Sequence, residues 1–285
     1  MHVLSFTLPK SNKSEWGVQS GDQVYSGMSI APTLDDFIRM GQPALDDLSA
    51  AARPGMAAAY HMSEIHVQAP VKHPSKIIAI GQNYMDHCRE CNVPPPTRPV
   101  VFTKFPSSII GPTHDIQWRS DLTEQVDWEV ELGVIIGQTT RHVPEEDALD
   151  YVFGYTVIND VSARDLQSGD GQWVRGKSLD TFCPMGPVIV TADEIPDPQN
   201  LGIRCWVNGA VMQDSNTLEM IFNVRYLIAF LSRAFTLNPG DVISTGTPHG
   251  IGAGRDPQIF LHDGDVVEVE VDQIGRLRNV CRVQS

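Results

Sequence analysis

Apolar and polar residues alternate with a period of two over several short stretches of this chain, and follow a helical period over only one long one. The clearest alternation is WEVELGVIIG at 128–137. There Trp128, Val130, Leu132, Val134 and Ile136 share one face of an extended strand, and Glu129 and Glu131 take the other. Shorter apolar runs predict strands at 76–81, Val100–Lys104, 152–160, 187–190, Gly202–Val207, 241–245 and Val266–Val271, with Asn208-Gly209 as a hairpin turn. Val224, Leu227, Ile228 and Leu231 predict one long helix over 222–237, packed in the core or at a dimer contact. The stretch YMDHCREC predicts a short helix, capped by Asn83 and stopped by Pro94-Pro95-Pro96.

The first 70 residues have their own pattern. Short strands are predicted at 2–6, 15–19 and 23–25. Two helices follow, LDDFIRMGQ after Thr33 and ALDDLSAAAR after Pro43, each with Asp in its first turn. Residues 66–74, with Pro70 and Pro74, connect this part to the rest. The expectation is a β-rich α+β chain: a small α/β unit at 1–70 and a larger unit at 71–285 in which strands outnumber helices. The 23 glycines and 20 prolines supply the turns so many strands need.

Composition narrows the function. With 41% hydrophobic residues among 285, the chain can bury a core and is not a disordered acidic protein. Its net charge of −14 argues against nucleic acid and anionic membrane surfaces as partners. No run approaches the ~18–20 apolar residues of a membrane span. The five cysteines form no disulfide framework, which favours a reducing compartment. Neither a signal-peptide core nor an Arg-rich transit leader is evident, so the expected location is cytoplasmic, with a mitochondrial one as the alternative.

Three carboxylates carry the first chemical hint. On a strand, Glu129 and Glu131 point the same way, roughly 7 Å apart, and Gly133 beyond them would leave open space. Like charges so placed resist joint ionisation unless a cation lies between them. Asp160 closes a second apolar strand, YVFGYTVIND. Three carboxylates without a nearby histidine suit a hard cation such as Mg²⁺, Mn²⁺ or Ca²⁺. Taken alone, Glu-x-Glu is equally the pattern of a solvated strand face.

His87 and Glu90, three apart on the short helix, can hydrogen-bond, and a carboxylate against an imidazole makes it a better base. An exposed helical pair has the same spacing. Cys88 and Cys91 form a C-x-x-C in the same turn, but no second ligand pair stands at zinc-site spacing and no redox-protein pattern surrounds them, so the reading is coincidence. The turn TGTPHG at 245–250 offers hydroxyls and amide groups as a carboxylate cradle, or is simply a hairpin turn. It is not a phosphate loop. His249 receives no role.

Taken together, GQNYMDHCRE (81–90), EVELGVIIG (129–137), NDVSARD (159–165), GKSLDTFCPMGP (176–187), VNG (207–209) and STGTPHGIG (244–252), in that order, resemble the fumarylacetoacetate hydrolase family over residues 70–285, and in particular its short-chain members. The resemblance implies a mixed β-sandwich roll, a homodimer, and Mg²⁺ or Mn²⁺ held by Glu129, Glu131 and Asp160, with no organic cofactor. It implies a water-activating dyad of His87 and Glu90 on a mobile lid helix, an active-site Lys177, and substrate contacts from Tyr84, Arg164, Gln167 and Thr247. Arg164 has a structural alternative, an ion pair with Asp165 or Asp180.

The chemistry so implied is that of an enzyme acting on a small 2-oxo acid through a metal-stabilised enolate. Tautomerisation or decarboxylation of oxaloacetate and hydrolysis of an acylpyruvate share that intermediate, and a hydratase or decarboxylase–isomerase is the alternative within the family. A catalytically silent scaffold is the alternative of another class. The short amino-terminal unit makes fumarylacetoacetate itself an unexpected substrate.

Overall fold

The computed structural model describes residues 1–9, 11–51 and 59–284. Two sheets dominate. The larger runs in the order Tyr60–His61, Gln23–Ser26, Lys13–Ser20, His2–Leu8, Cys183–Thr191, Val152–Asn159, Val130–Ile136, Val242–Ser244, Ile77–Gly81 and Val100–Lys104. His66–Gln68 pairs with its amino-terminal strand and Ile109–Ile110 with Cys183–Thr191. The smaller sheet orders Ala210–Asn216, Gly202–Val207, Val266–Val271, Gly275–Gln284 and Ile116–Arg119. Parallel and antiparallel pairs occur in both, as expected for a mixed, β-rich α+β fold.

Val130–Ile136 lies inside the large sheet, antiparallel to neighbours on both sides, and every one of its residues is buried. Its alternation sorts the two cores. Val130, Leu132, Val134 and Ile136 pack with Ile203, Val207, Val267, Val269 and Leu277 of the small sheet, closing the sandwich. Ile135, on the opposite face, joins Phe153, Ile158 and Ile189 against Trp16, Leu34, Phe37, Ile38, Leu45 and Leu48. Phe37 stacks on Trp16 at 4.6 Å between centroids and meets Phe153 edge-on at 6.1 Å. The amino-terminal segment therefore covers one end of this face and leaves Glu129 and Glu131 at the other.

The predicted helices form at Leu34–Met40, with Thr33 capping the Asp36 amide, and at Gln42–Ala51. Residues 52 and 53, expected in the second helix, lie outside the described residues. The long helix is Val224–Ala234, shorter than predicted. Asn223 caps it by accepting from Tyr226, and Phe235 is already extended.

Two local expectations are corrected. The short helix is Met85–Glu90, and Asn83 does not cap it: its amide donates to the carbonyls of Phe222 and Thr245 and accepts from the Phe222 amide. A buried side-chain amide that can tie three strands of chain together does so in preference to capping one turn. The space expected beside Gly133 is also filled, since a Cβ there would lie 2.7 Å from the Ile158 side chain and 2.9 Å from that of Thr156.

Candidate active site and metal centre

A cavity of about 170 Å³ opens where Ile77–Gly81, Val130–Ile136, the short helix and the 245–250 turn meet. Gln82, His87, Glu129, Glu131, Arg164, Gln167, Lys177 and Thr247 line it with Phe102 and Trp173. Phe102 and Trp173 meet edge to face, and Trp173 packs so close to Gly81 that a Cβ there would lie 2.4 Å from the indole. One wall is thus aromatic and the other charged.

The charged wall rests on the sheet ladder. Val130 pairs with Asn159 in register, and the amide of Asp160 donates to the carbonyl of Glu129 at 2.8 Å. This brings Asp160 beside Glu129 and Glu131, with one oxygen from each within 4.8 Å of the others. All three are buried. Glu129 takes Lys177 Nζ on one oxygen at 2.7 Å and Arg164 on the other at 2.7 Å. Asp160 takes Lys177 at 2.8 Å and Lys104 at 2.6 Å. Glu131 has neutral donors instead, the Ser244 hydroxyl and the Gly246 amide.

The consequences for charge differ across the trio. Burial would raise Glu129, but Lys177 and Arg164 outweigh it and hold the carboxyl down at about 2. Burial, and then the charges of Asp160 and Glu129, push Glu131 well above the usual carboxylate range. Burial opposes the charge of Lys177, yet Asp160 and Glu129 raise it above the ordinary lysine value. An all-oxygen donor set whose third member stays charged only beside more positive charge fits a hard divalent cation, which Glu129, Glu131 and Asp160 would hold.

His87, also in the cavity lining, has Nδ1 3.1 Å from Oε2 of Glu90, which itself stands outside the lining, so the expected contact between the two is formed. Burial would lower His87, but Cys91, Glu90 and the charge on Glu129 together raise it to about 9. The helix that carries it is tied down. Glu90 Oε1 accepts from the Gly250 amide at 2.7 Å, Asp86 from Ser215, and Glu219 from Arg89 at 2.8 Å. Both cysteines are free, with Cys88 buried toward the Gln82 carbonyl and Cys91 exposed at the helix end.

The remaining expected residues divide. Arg164 makes ion pairs, but with Asp127 at 2.8 Å and Glu129, and neither Asp165 nor Asp180 is its partner. Asp165 instead accepts from Thr123. Gln167 lines the cavity and accepts from Arg164. The Thr247 hydroxyl donates to the Val130 carbonyl and accepts from Gln213, so much of its capacity goes to holding the turn. Tyr84 is wholly buried outside the cavity lining, and its hydroxyl has no hydrogen-bond partner among the described residues. His249 is exposed, 3.9 Å from Asp86.

Lys104 and Asp127 were not legible as site residues. Lys104 ends a short apolar strand, where strand parity places it on the side of Phe102, and that shared parity is the one available signal. Asp127 accepts from the amides of Trp128, Gly252 and Ala253 as well as from Arg164, contacts that only the folded loop creates.

Known proteins share both the sequence pattern and the fold. Residues 76–283 match the family model described as fumarylacetoacetate (FAA) hydrolase C-terminal. "Oxaloacetate tautomerase fahd2, mitochondrial" of Xenopus laevis is 47% identical over 290 positions, covering 98% of this chain and 89% of the relative. A fumarylacetoacetate hydrolase structure from the psychrophile Exiguobacterium antarcticum is 40% identical, with a TM-score of 0.89 and full coverage of both chains. Maleylpyruvate hydrolase from Sphingobium sp. SYK-6, solved with manganese(II) and pyruvate, is 32% identical with a TM-score of 0.84, again over both whole chains.

The Xenopus relative's mitochondrial designation overturns the cytoplasmic expectation and points to the mitochondrion. Free cysteines do not separate those two compartments. The chain belongs to the fumarylacetoacetate hydrolase family and is one of its enzymes.

Proposed function

We propose that this enzyme interconverts the keto and enol forms of oxaloacetate, with Mg²⁺ or Mn²⁺ at Glu129, Glu131 and Asp160. The observation that carries the reading is that His87, held by Glu90, lines the same small cavity as Glu129 and Glu131, whose carboxylates gather with that of Asp160 behind them. The name of the Xenopus relative supports oxaloacetate as the substrate, and the manganese in the maleylpyruvate hydrolase structure supports the metal.

Tautomerisation moves one proton. Going from enol to keto, a C–H bond forms at C3 with a proton from His87, while the O–H bond at C2 breaks and its proton passes to solvent, which re-protonates the imidazole. A divalent ion, when bound, supplies positive charge that favours the developing negative charge on the C2 oxygen. Glu90 holds His87 by Nδ1, which leaves Nε2 to exchange a proton with C3. The imidazolium favoured by its surroundings is the form that donates it, and the neutral form serves the reverse direction. Lys177 keeps Glu129 ionised and holds both Glu129 and Asp160 in place through its two ion pairs. Phe102 and Trp173 give the cavity an apolar wall, which disfavours a water placed for hydrolysis on that side.

Hydrolysis of an acylpyruvate is the second reading, favoured by the maleylpyruvate hydrolase likeness and by a dyad equally able to take a proton from water. Enol absorbance and pyruvate release, followed separately with oxaloacetate and acylpyruvates in Mg²⁺, decide between them. Loss of enol absorbance without pyruvate is the expected result. Pyruvate release from acylpyruvates alone would replace the first reading with the second. We further propose a homodimer, which sedimentation would test.

A further inference from the structure

We infer that His87, Glu90 and Cys91 form a second, soft-metal site that binds Zn²⁺ and inhibits the enzyme. The three stand at positions i, i+3 and i+4, so their side chains converge over one face of the short helix. His87 Nδ1 is 3.1 Å from Glu90 Oε2 and 3.8 Å from Cys91 Sγ, and one ligand atom of each residue lies within 4.8 Å of the others. Ligand atoms on a tetrahedral zinc at ordinary bond lengths stand roughly 3.3–3.6 Å apart. The two separations from the imidazole bracket that range, and the Glu90 and Cys91 ligand atoms, within 4.8 Å of each other, close on the ion by side-chain rotation.

The carboxylate is already oriented for this. The Gly250 amide holds Glu90 Oε1, which turns Oε2 toward the imidazole, and the lack of a side chain at Gly254 gives Glu90 its room. Cys91 is exposed at the end of the helix, so an ion can enter from solvent. Nitrogen, sulfur and one oxygen make a borderline-to-soft donor set that Mg²⁺ would not choose. The two metal preferences are thereby segregated across one cavity. Binding forms an S–Zn bond as the thiol proton passes to solvent, and engages the imidazole at Nδ1. Protons are therefore released as the metal binds. Three protein ligands leave a fourth position open.

Cobalt(II) reports thiolate ligation by a near-ultraviolet charge-transfer band, independently of any substrate. Full-length enzyme saturated with Mg²⁺ is titrated with Co²⁺, alongside Cys91→Ser and Cys88→Ser. The expected result is about one equivalent of thiolate-bound cobalt, retained in Cys88→Ser and absent in Cys91→Ser. In activity assays, each protein compared with its own uninhibited rate, Cys91→Ser raises the half-inhibiting Zn²⁺ concentration about tenfold or more. No thiolate band with wild-type enzyme, or a band that survives in Cys91→Ser, overturns the site. Because the cobalt signal needs no turnover, its loss would be distinguished from a failure of the oxaloacetate reading.

Discussion

Lys104 reaches Asp160 at 2.6 Å with both side chains fully withdrawn from solvent, while the same ammonium donates to the carbonyls of Val161 and Lys177. A buried cation so placed fixes two parts of the charged wall at once: one of the acidic trio and the backbone of the neighbouring lysine. Removing one member of a buried ion pair costs about 3–5 kcal/mol, because the other is left uncompensated. Because Asp160 keeps its pair with Lys177, Lys104→Met is expected to lower the unfolding free energy by at most about that amount, read from urea denaturation. An unchanged midpoint would show that Lys177 alone suffices for Asp160.

Metal loading should be visible as stability. A ligand that binds only the native state at 100 times its Kd adds about 2.7 kcal/mol. Mg²⁺ or Mn²⁺ is therefore expected to raise the thermal midpoint of the wild-type protein, and chelator to reverse the rise. In Glu131→Gln that increment should vanish. Without metal, the same variant should be no less stable than wild type, because the fold already disfavours charge at this carboxyl. A metal-dependent shift of wild-type size in Glu131→Gln would remove Glu131 from the ligand set.

The His87–Glu90 contact gives a pH dependence whose sign can be worked out. His87 is raised in the folded state from 6.5 to about 9, so its stabilisation is fully present below 6.5 and disappears as pH climbs through about 9. His87→Gln should thus cost metal-free protein the most stability at pH 6, on the order of 2–3 kcal/mol, and almost none near pH 10. Denaturation of both proteins across that range checks it. A pH-independent gap would mean the imidazole is not held charged.

Catalysis should separate from binding at the same helix. General acid–base groups contribute about 10²–10⁴ in rate. His87→Ala is expected to lower tautomerase kcat within that span while keeping the Mg²⁺-induced rise in thermal midpoint. Glu90→Gln should fall between it and wild type, since the amide can still accept from Gly250 but orients the imidazole poorly. If His87→Ala turns over at the wild-type rate, the proton passes by another route.

Much of this site could be read from order and periodicity along the chain. The alternation at 128–137 placed Glu129 and Glu131 on one side, and Val152–Asn159, which Asp160 directly follows, is its actual antiparallel neighbour. The i, i+3 relation found the dyad. What escaped was decided by tertiary contacts. Asn83 has the chemistry of a helix cap but bridges Phe222 and Thr245, 139 and 162 positions away. Arg164 has acidic neighbours in sequence yet pairs with Asp127, across the short ladder between Val126–Asp127 and Ser162–Ala163. Ala210–Asn216 and Gly275–Gln284 escaped as strands because their exposed residues dilute the apolar alternation.

Because Glu129 and Asp160 are tethered through the main chain at the mouth of one hairpin, the socket proposed for the cation is built by the ladder and would not need the ion to assemble it. The geometry of the catalytic charge is then inherited from the same hydrogen bonds that keep the sandwich together. Evolution of new substrates on this scaffold has little freedom at that end of the cavity. It is left to the short helix and the loops opposite, which can be rewritten without unpicking a strand.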